Sequence, residues 1–145
     1  MTARVNESGM VSLGLVVAEF NRSVTGGMEE AALSAAADAD ATVAETVRVP
    51  GAYDAPLVAD RLARRADVDA VAVLGAIVTG DTDHDQVIGH AIAEKLTDVS
   101  LERDVPVTLG VMGPGMSGAE ARERVEKGAD AVVAAVDLAE TLEDL

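Results

Sequence analysis

The residues best placed for chemistry fall in one run, Thr79-Gly80-Asp81-Thr82-Asp83-His84. An imidazole titrates near neutral pH, so His84 is suited to moving protons. The same histidine could equally be a helix N-terminal residue with no task. Gly80 permits close backbone approach, and free N–H groups ahead of a helix attract a phosphate. No Gly-Lys-Ser/Thr follows, so the run is not a P-loop. Asp81, Asp83 and Asp85 oppose an anion, and a phosphate held here would need a cation from elsewhere. Asp83, followed by Gln86, also suits a helix cap.

Helical phase separates the two histidines. Ile88, Ile92, Leu96 and Val99 share one face, and His84, four residues before Ile88, lies on that side at the mouth of a pocket. His90 falls with Gln86, Glu94 and Thr97 and reads as a solvated surface residue. A metal is not expected, because no second histidine joins His84 and its neighbouring carboxylates on that face. The sequence has no Ser-His-Asp signature and no nucleophile elbow. Without cysteine, thiolate chemistry and disulfides are excluded. The chain has one phenylalanine and one tyrosine, Phe20 and Tyr53. Each either stacks on a planar ring or closes the rim of the core. Arg122, Arg124 and Lys127 form a basic cluster late in the chain. Read alone, it is a solvated helix face paired with Glu120, Glu123 and Glu126.

The elements that must position these residues alternate short β-branched runs with alanine-rich stretches. Strands are expected over Leu13–Ala18, Val43–Val49, Ala70–Val78 and Pro106–Met112, with Gly113-Pro114-Gly115 breaking the last. The near-continuous apolar run from Ala70 suits a strand covered on both faces of a parallel sheet. Helices are expected over about 24–37, weakened early by Gly26 and Gly27, over 56–65 with Asp54 as cap, and over 84–103. Ser117 and Glu120 make a capping-box signature for a final helical region running to about Leu142, broken at Gly128. Four βα units in series predict an α/β protein with a three-layer, flavodoxin-like, four-stranded parallel sheet. Residues 1–12 read as an N-terminal extension and 13–145 as one domain. Ligands of such sheets bind beyond the carboxyl ends of the strands. Those ends are Phe20-Asn21, Pro50 to Asp54, Thr79 to His84, and Gly113 to Met116.

Composition narrows the function. The formal charge is −15, with 26 acids against 11 bases spread along the chain. Such a surface repels nucleic acid and anionic membranes, so neither is an expected partner. The excess suits a salt-rich cytoplasm, where screening acts over a few ångströms. The apolar run from Val11 to Val17 is too short to span a membrane, and no signal peptide is read, so the expected location is cytoplasmic.

Four segments occur in order: Ala18-Glu19-Phe20-Asn21, Val49 to Pro56, Leu74 to His84, and Gly113 to Ser117. Together they resemble the 6,7-dimethyl-8-ribityllumazine synthase family, in its archaeal branch, over about residues 13–142. The resemblance implies condensation of 5-amino-6-(D-ribitylamino)uracil with 3,4-dihydroxy-2-butanone 4-phosphate, a transferase step of riboflavin biosynthesis, without cofactor or metal. It assigns Phe20 to stacking on the pyrimidine, and Ala52, Tyr53 and Asp54 to the ribityl chain and ring. It assigns Ile77 and Val78 to lining the pyrimidine, Gly80, Asp81 and Thr82 to the phosphate loop, and His84 to proton transfer. Leu109, Arg124 and Lys127 match positions supplied by a neighbouring subunit, which would make Arg124 the missing cation. Tyr53 and Asp54 stand where the family usually has Phe and Glu, Leu109 where it often has Phe, and Thr79 where it often has Arg.

The family forms pentamers, and in many members twelve pentamers close into a shell. A homopentamer is therefore expected here, with the shell compatible but opposed by charge repulsion unless salt screens it. Two other readings stand beside this one. Archaeal-type riboflavin synthase has a related fold, but the intact Val-Pro-Gly-Ala and Gly-Asp-Thr-Asp-His runs favour the lumazine enzyme. A non-catalytic flavin-binding or shell protein would have no need of both His84 and Arg124.

Overall fold

The computed structural model describes residues 10–78 and 84–145. Four strands form one parallel sheet in the order β2-β1-β3-β4, where β1 is Ser12–Ala18, β2 Thr42–Val49, β3 Ala70–Val78 and β4 Val107–Met116. Helices α1 (Arg22–Asp38), α4 (Gly118–Arg122) and α5 (Lys127–Glu143) cover one face. Helices α2 (Ala55–Ala63) and α3 (His84–Arg103) cover the other. This is the three-layer arrangement that the alternating pattern predicts.

The central strands are buried on both faces, and their alternation divides the core. Leu13, Leu15 and Val17 of β1 join Ala72 and Leu74 of β3 beneath α1 and α5. Val16 of β1 joins Val71, Val73 and Ile77 of β3 beneath α2 and α3. With so few aromatic side chains, small residues let the layers approach closely. A Cβ on Gly128 would lie 2.2 Å from the Met28 carbonyl oxygen, so α5 crosses α1 at a point where only glycine fits. Gly128 thus lies inside the first turn of α5 and does not break it. The interruption comes earlier, at 123–126, after the short α4. That helix is capped as expected: Glu120 donates its N–H to Ser117 Oγ at 3.1 Å, and Ser117 donates to Glu120 Oε1 at 3.4 Å.

Two more expectations are corrected. β4 does not stop at Met112 but continues through Gly113-Pro114-Gly115 to Met116. Gly113 (φ 85°) and Gly115 (φ 90°) absorb the bend, so pairing with β3 shifts register and resumes at Val78 opposite Met116. Asp54 does not cap α2 with its side chain. Its carboxylate turns back to accept the Gly51 N–H at 3.0 Å, and Pro56 starts the helix without needing a donor.

Charge is distributed around rather than through this frame. Glu29 on α1 is nearly buried. Burial pushes its carboxyl up, but hydrogen bonds from Arg22 and Arg48 outweigh that and hold it below the usual range. Asp60 on α2 is likewise held low, first by the Arg103 hydrogen bond from α3 and, against some burial, by Arg64. Both carboxylates therefore stabilise the fold above the ordinary carboxylate range and lose that contribution as pH falls through their depressed values. Complete pairing of all 11 bases would still leave 15 acids in excess. Repulsion among them should dominate at low salt, where screening is weak. Raising KCl from about 0.1 M to about 1 M shortens the screening length from about 10 Å to about 3 Å, so the melting temperature followed by circular dichroism should rise.

Candidate active site

Three strand ends and one helix start enclose a cavity of about 420 Å³ on the α2/α3 side of the sheet. The first wall leaves β1. Glu19 and Phe20 extend the pairing with β2, donating to the carbonyls of Val49 (2.8 Å) and Pro50 (3.0 Å). Asn21 then adopts a left-handed conformation, φ 65° and ψ 46°, and α1 begins. This leaves the Phe20 ring 66% exposed at the cavity wall.

The second wall follows β2. The Asp54 N–H donates to the Gly51 carbonyl at 3.0 Å, and the Asp54 carboxylate accepts the Gly51 N–H at 3.0 Å. That double clasp closes a single 3-10 turn over Ala52–Asp54. Ala52 points inward and is buried, while Tyr53 stays 67% exposed at the rim. The turn sits close to β3, where a Cβ on Gly75 would lie 3.4 Å from the Ala52 Cβ. The floor is the end of β3, Ala76 to Val78, and Ile88 of α3 closes the far side. His84 and Asp85, in the first turn of α3, stand at the mouth, with His84 exposed. The result is an apolar slot with ionisable groups at its opening, of a size that suits a small planar ligand.

A second hollow, of about 550 Å³, lies between the end of β4, the turn at 123–126 and the start of α5. Arg124 and Lys127 meet here, among Glu123, Glu126 and Asp130. The Gly113-Pro114-Gly115 segment stands between the two hollows. Gly113 lines the second, yet a Cβ on it would fall 1.9 Å from the carbonyl oxygen of Ile77 in the first. Pro114 presses on α3, where a Cβ on Gly89 would meet its Cδ at 2.7 Å.

Of the residues singled out from sequence, Phe20, Ala52, Tyr53, Ile77, Val78 and His84 line the first cavity. Asp54 does not, its carboxylate being engaged with its own turn. Arg124 and Lys127 line the second hollow, and Leu109 lines neither, standing 44% exposed on β4. Gly80, Asp81 and Thr82, with Thr79 and Asp83, lie outside the described residues. Four lining residues carried no site assignment in the sequence reading: Gly51, Ala76, Asp85 and Ile88. Ile88 was legible only as part of the buried stripe of α3. Asp85 was legible only as a charge opposing an anion.

The 6,7-dimethyl-8-ribityllumazine synthase family matches residues 10–143 of the chain. A protein of that name from Halobacterium salinarum is 75% identical over 133 residues, covering 92% of this chain and the whole of that protein. One from Halorubrum lacusprofundi is 72% identical over 134 residues, with 92% of this chain and all of that protein covered. A more distant one, from Methanocaldococcus jannaschii, is 46% identical over 136 residues, covering 94% of this chain and 96% of its own.

The wall between the hollows gives a direct test of the geometry. Gly113→Ala places a methyl group against the Ile77 carbonyl and demands a left-handed alanine. The substitution should cost about 2 kcal/mol or more in stability. Denaturant unfolding measures it, and Gly115→Ala, whose Cβ meets nothing within 4 Å, isolates the conformational part.

Proposed function

Because the chain belongs to the 6,7-dimethyl-8-ribityllumazine synthase family, we propose that the apolar slot binds 5-amino-6-(D-ribitylamino)uracil. Its second substrate, 3,4-dihydroxy-2-butanone 4-phosphate, then lies at the mouth. The observation that carries this reading is the slot itself. Phe20 offers a ring face, Ala52 leaves room beside it, and the Ile77 side chain with the β3 backbone around it makes an apolar floor. A planar pyrimidine gains both burial and stacking there. Tyr53 at the rim is suited to the polar ribityl chain.

The chemistry is a condensation of riboflavin biosynthesis. The 5-amino group attacks the ketone and water leaves, giving an imine. Loss of the phosphate group follows. That loss takes the proton of the neighbouring hydroxyl-bearing carbon and leaves an enol, which tautomerises to a ketone. The ribitylamino nitrogen closes the ring on this new carbonyl, and a second water leaves. These steps move protons among carbon, nitrogen and oxygen, and His84 at the mouth is suited to carry them. Neither a metal nor an organic cofactor is needed for these steps.

The phosphate needs a cation. Among the described residues that line the slot there is no arginine or lysine. Arg124 and Lys127 line the second hollow together with Gly113 and do not line the slot. This division supports a site shared between subunits, with Arg124 of the partner subunit meeting the phosphate at the Gly80-Asp81-Thr82 loop. The assembly is a homopentamer at least, working in the cytoplasm, and a twelve-pentamer shell is compatible with it where salt screens the charge.

Incubating the two purified substrates with the protein should yield lumazine absorbance together with released phosphate. No product would sink the reading, and product from the lumazine alone would assign riboflavin synthase activity. Arg124→Ala should raise the Michaelis constant for the butanone phosphate about a hundredfold, the scale of one lost buried charge pair. An unchanged constant would mean the phosphate lies elsewhere. His84→Ala should slow turnover by about 10–100-fold if the imidazole only assists proton transfer, and an unaltered rate would remove it from the mechanism.

A further inference from the structure

Phe20 has little packing to hold it, since two thirds of its surface is open. Its position is fixed by backbone. The Phe20 N–H is tied to Pro50, and the next residue is held in three ways at once. The Asn21 carbonyl accepts the N–H groups of Val24 (2.8 Å) and Thr25 (3.0 Å), which starts α1. Its backbone is left-handed, a conformation asparagine tolerates better than most residues. Its side-chain amide donates to the Ala76 carbonyl at 3.2 Å, 55 residues away in the chain. Ala76 is itself part of the cavity and precedes Ile77 and Val78.

We infer that Asn21 is a positioning residue: its left-handed turn and its amide bond to Ala76 set the gap between the Phe20 ring and the floor made by Ile77 and the β3 backbone. The gap lies beyond the last paired residues of β1 and β3, Val17 and Leu74. A planar ring is bound well only if stacking wall and floor keep the right separation, and misplacement by about 1 Å costs up to about a hundredfold. Asparagine is the side chain that meets both requirements. Glycine would supply the conformation without the donor. Aspartate would keep the shape and tolerate the conformation, but would turn an acceptor toward a carbonyl oxygen.

This inference rests on the pyrimidine occupying the slot. The test measures steady-state constants for both substrates, and calorimetric binding of the lumazine product, on the full chain. The proteins are wild type, Asn21→Gly, Asn21→Asp, Phe20→Ala and the Phe20→Ala/Asn21→Gly double variant. Asn21→Gly and Asn21→Asp should each raise the pyrimidine Michaelis constant about tenfold, while that for the butanone phosphate changes less than about twofold. In the Phe20→Ala background, adding Asn21→Gly should change pyrimidine binding less than about twofold, because the two residues act as one unit. Wild-type constants for Asn21→Gly would overturn the clamp. Additive losses in the double variant would mean that Asn21 acts apart from Phe20. Equal losses for both substrates with a lowered melting temperature would reduce its role to folding. An inactive wild type would instead sink the transferase reading, and the lumazine titrations would still decide whether Asn21 works through Phe20.

Discussion

Burial of β3 on both faces is the constraint from which the site follows. One face of the strand meets α1 and α5, and the other meets α2 and α3. Its carboxyl end therefore cannot drift, and every group around the cavity is referred to it. Asn21 is bonded to Ala76, the Ala52 turn leans on Gly75, and Gly113 packs on the Ile77 carbonyl. The surrounding loops carry the polar groups, but the strand supplies the coordinates. A core of small aliphatic chains makes this possible, because helices and turns come within backbone distance of it at glycine.

Electrostatics is arranged differently in the two hollows. The slot keeps its ionisable groups at the mouth, where His84 remains exposed and water can exchange protons with it. The second hollow brings two cations, Arg124 and Lys127, together with three acids in a strongly acidic molecule. Glu123, Glu126 and Asp130 beside Arg124 and Lys127 reduce the local field but leave both guanidinium and ammonium at an exposed position. An anion presented with fixed geometry can displace that loose screening, because a charge-assisted hydrogen bond gains more than an exposed pair.

The sheet was legible in the sequence because its strands are unusually apolar and separated by turn residues. The run from Ala70 to Val78 has one plausible structure, and it has the bounds expected. The end of β4 was not legible. Gly-Pro-Gly normally stops a strand, and only the pairing of Val78 with Met116 across the bulge reveals that this one continues. Asp54 misled for a related reason: its type and position suit a cap, but the nearer Gly51 N–H won the carboxylate. Phe20, Ala52, Ile77, Val78 and His84 could be gathered from strand-end logic and the family pattern. Asn21 was visible only as a neighbour of Phe20, since a left-handed angle and a bond to Ala76 leave no trace in composition.

The wall at Gly113-Pro114-Gly115 has a genetic consequence. In the ring of shared sites proposed above, the two hollows of one chain would serve two different catalytic centres. A chain damaged at His84 and a chain damaged at Arg124 are then defective in different halves. Assembled together, they can form some centres that draw both intact halves from different parents. Alleles at these two positions would complement one another in trans, although each is impaired alone. On that proposal the wall would also be the boundary between two complementation groups within a single gene product.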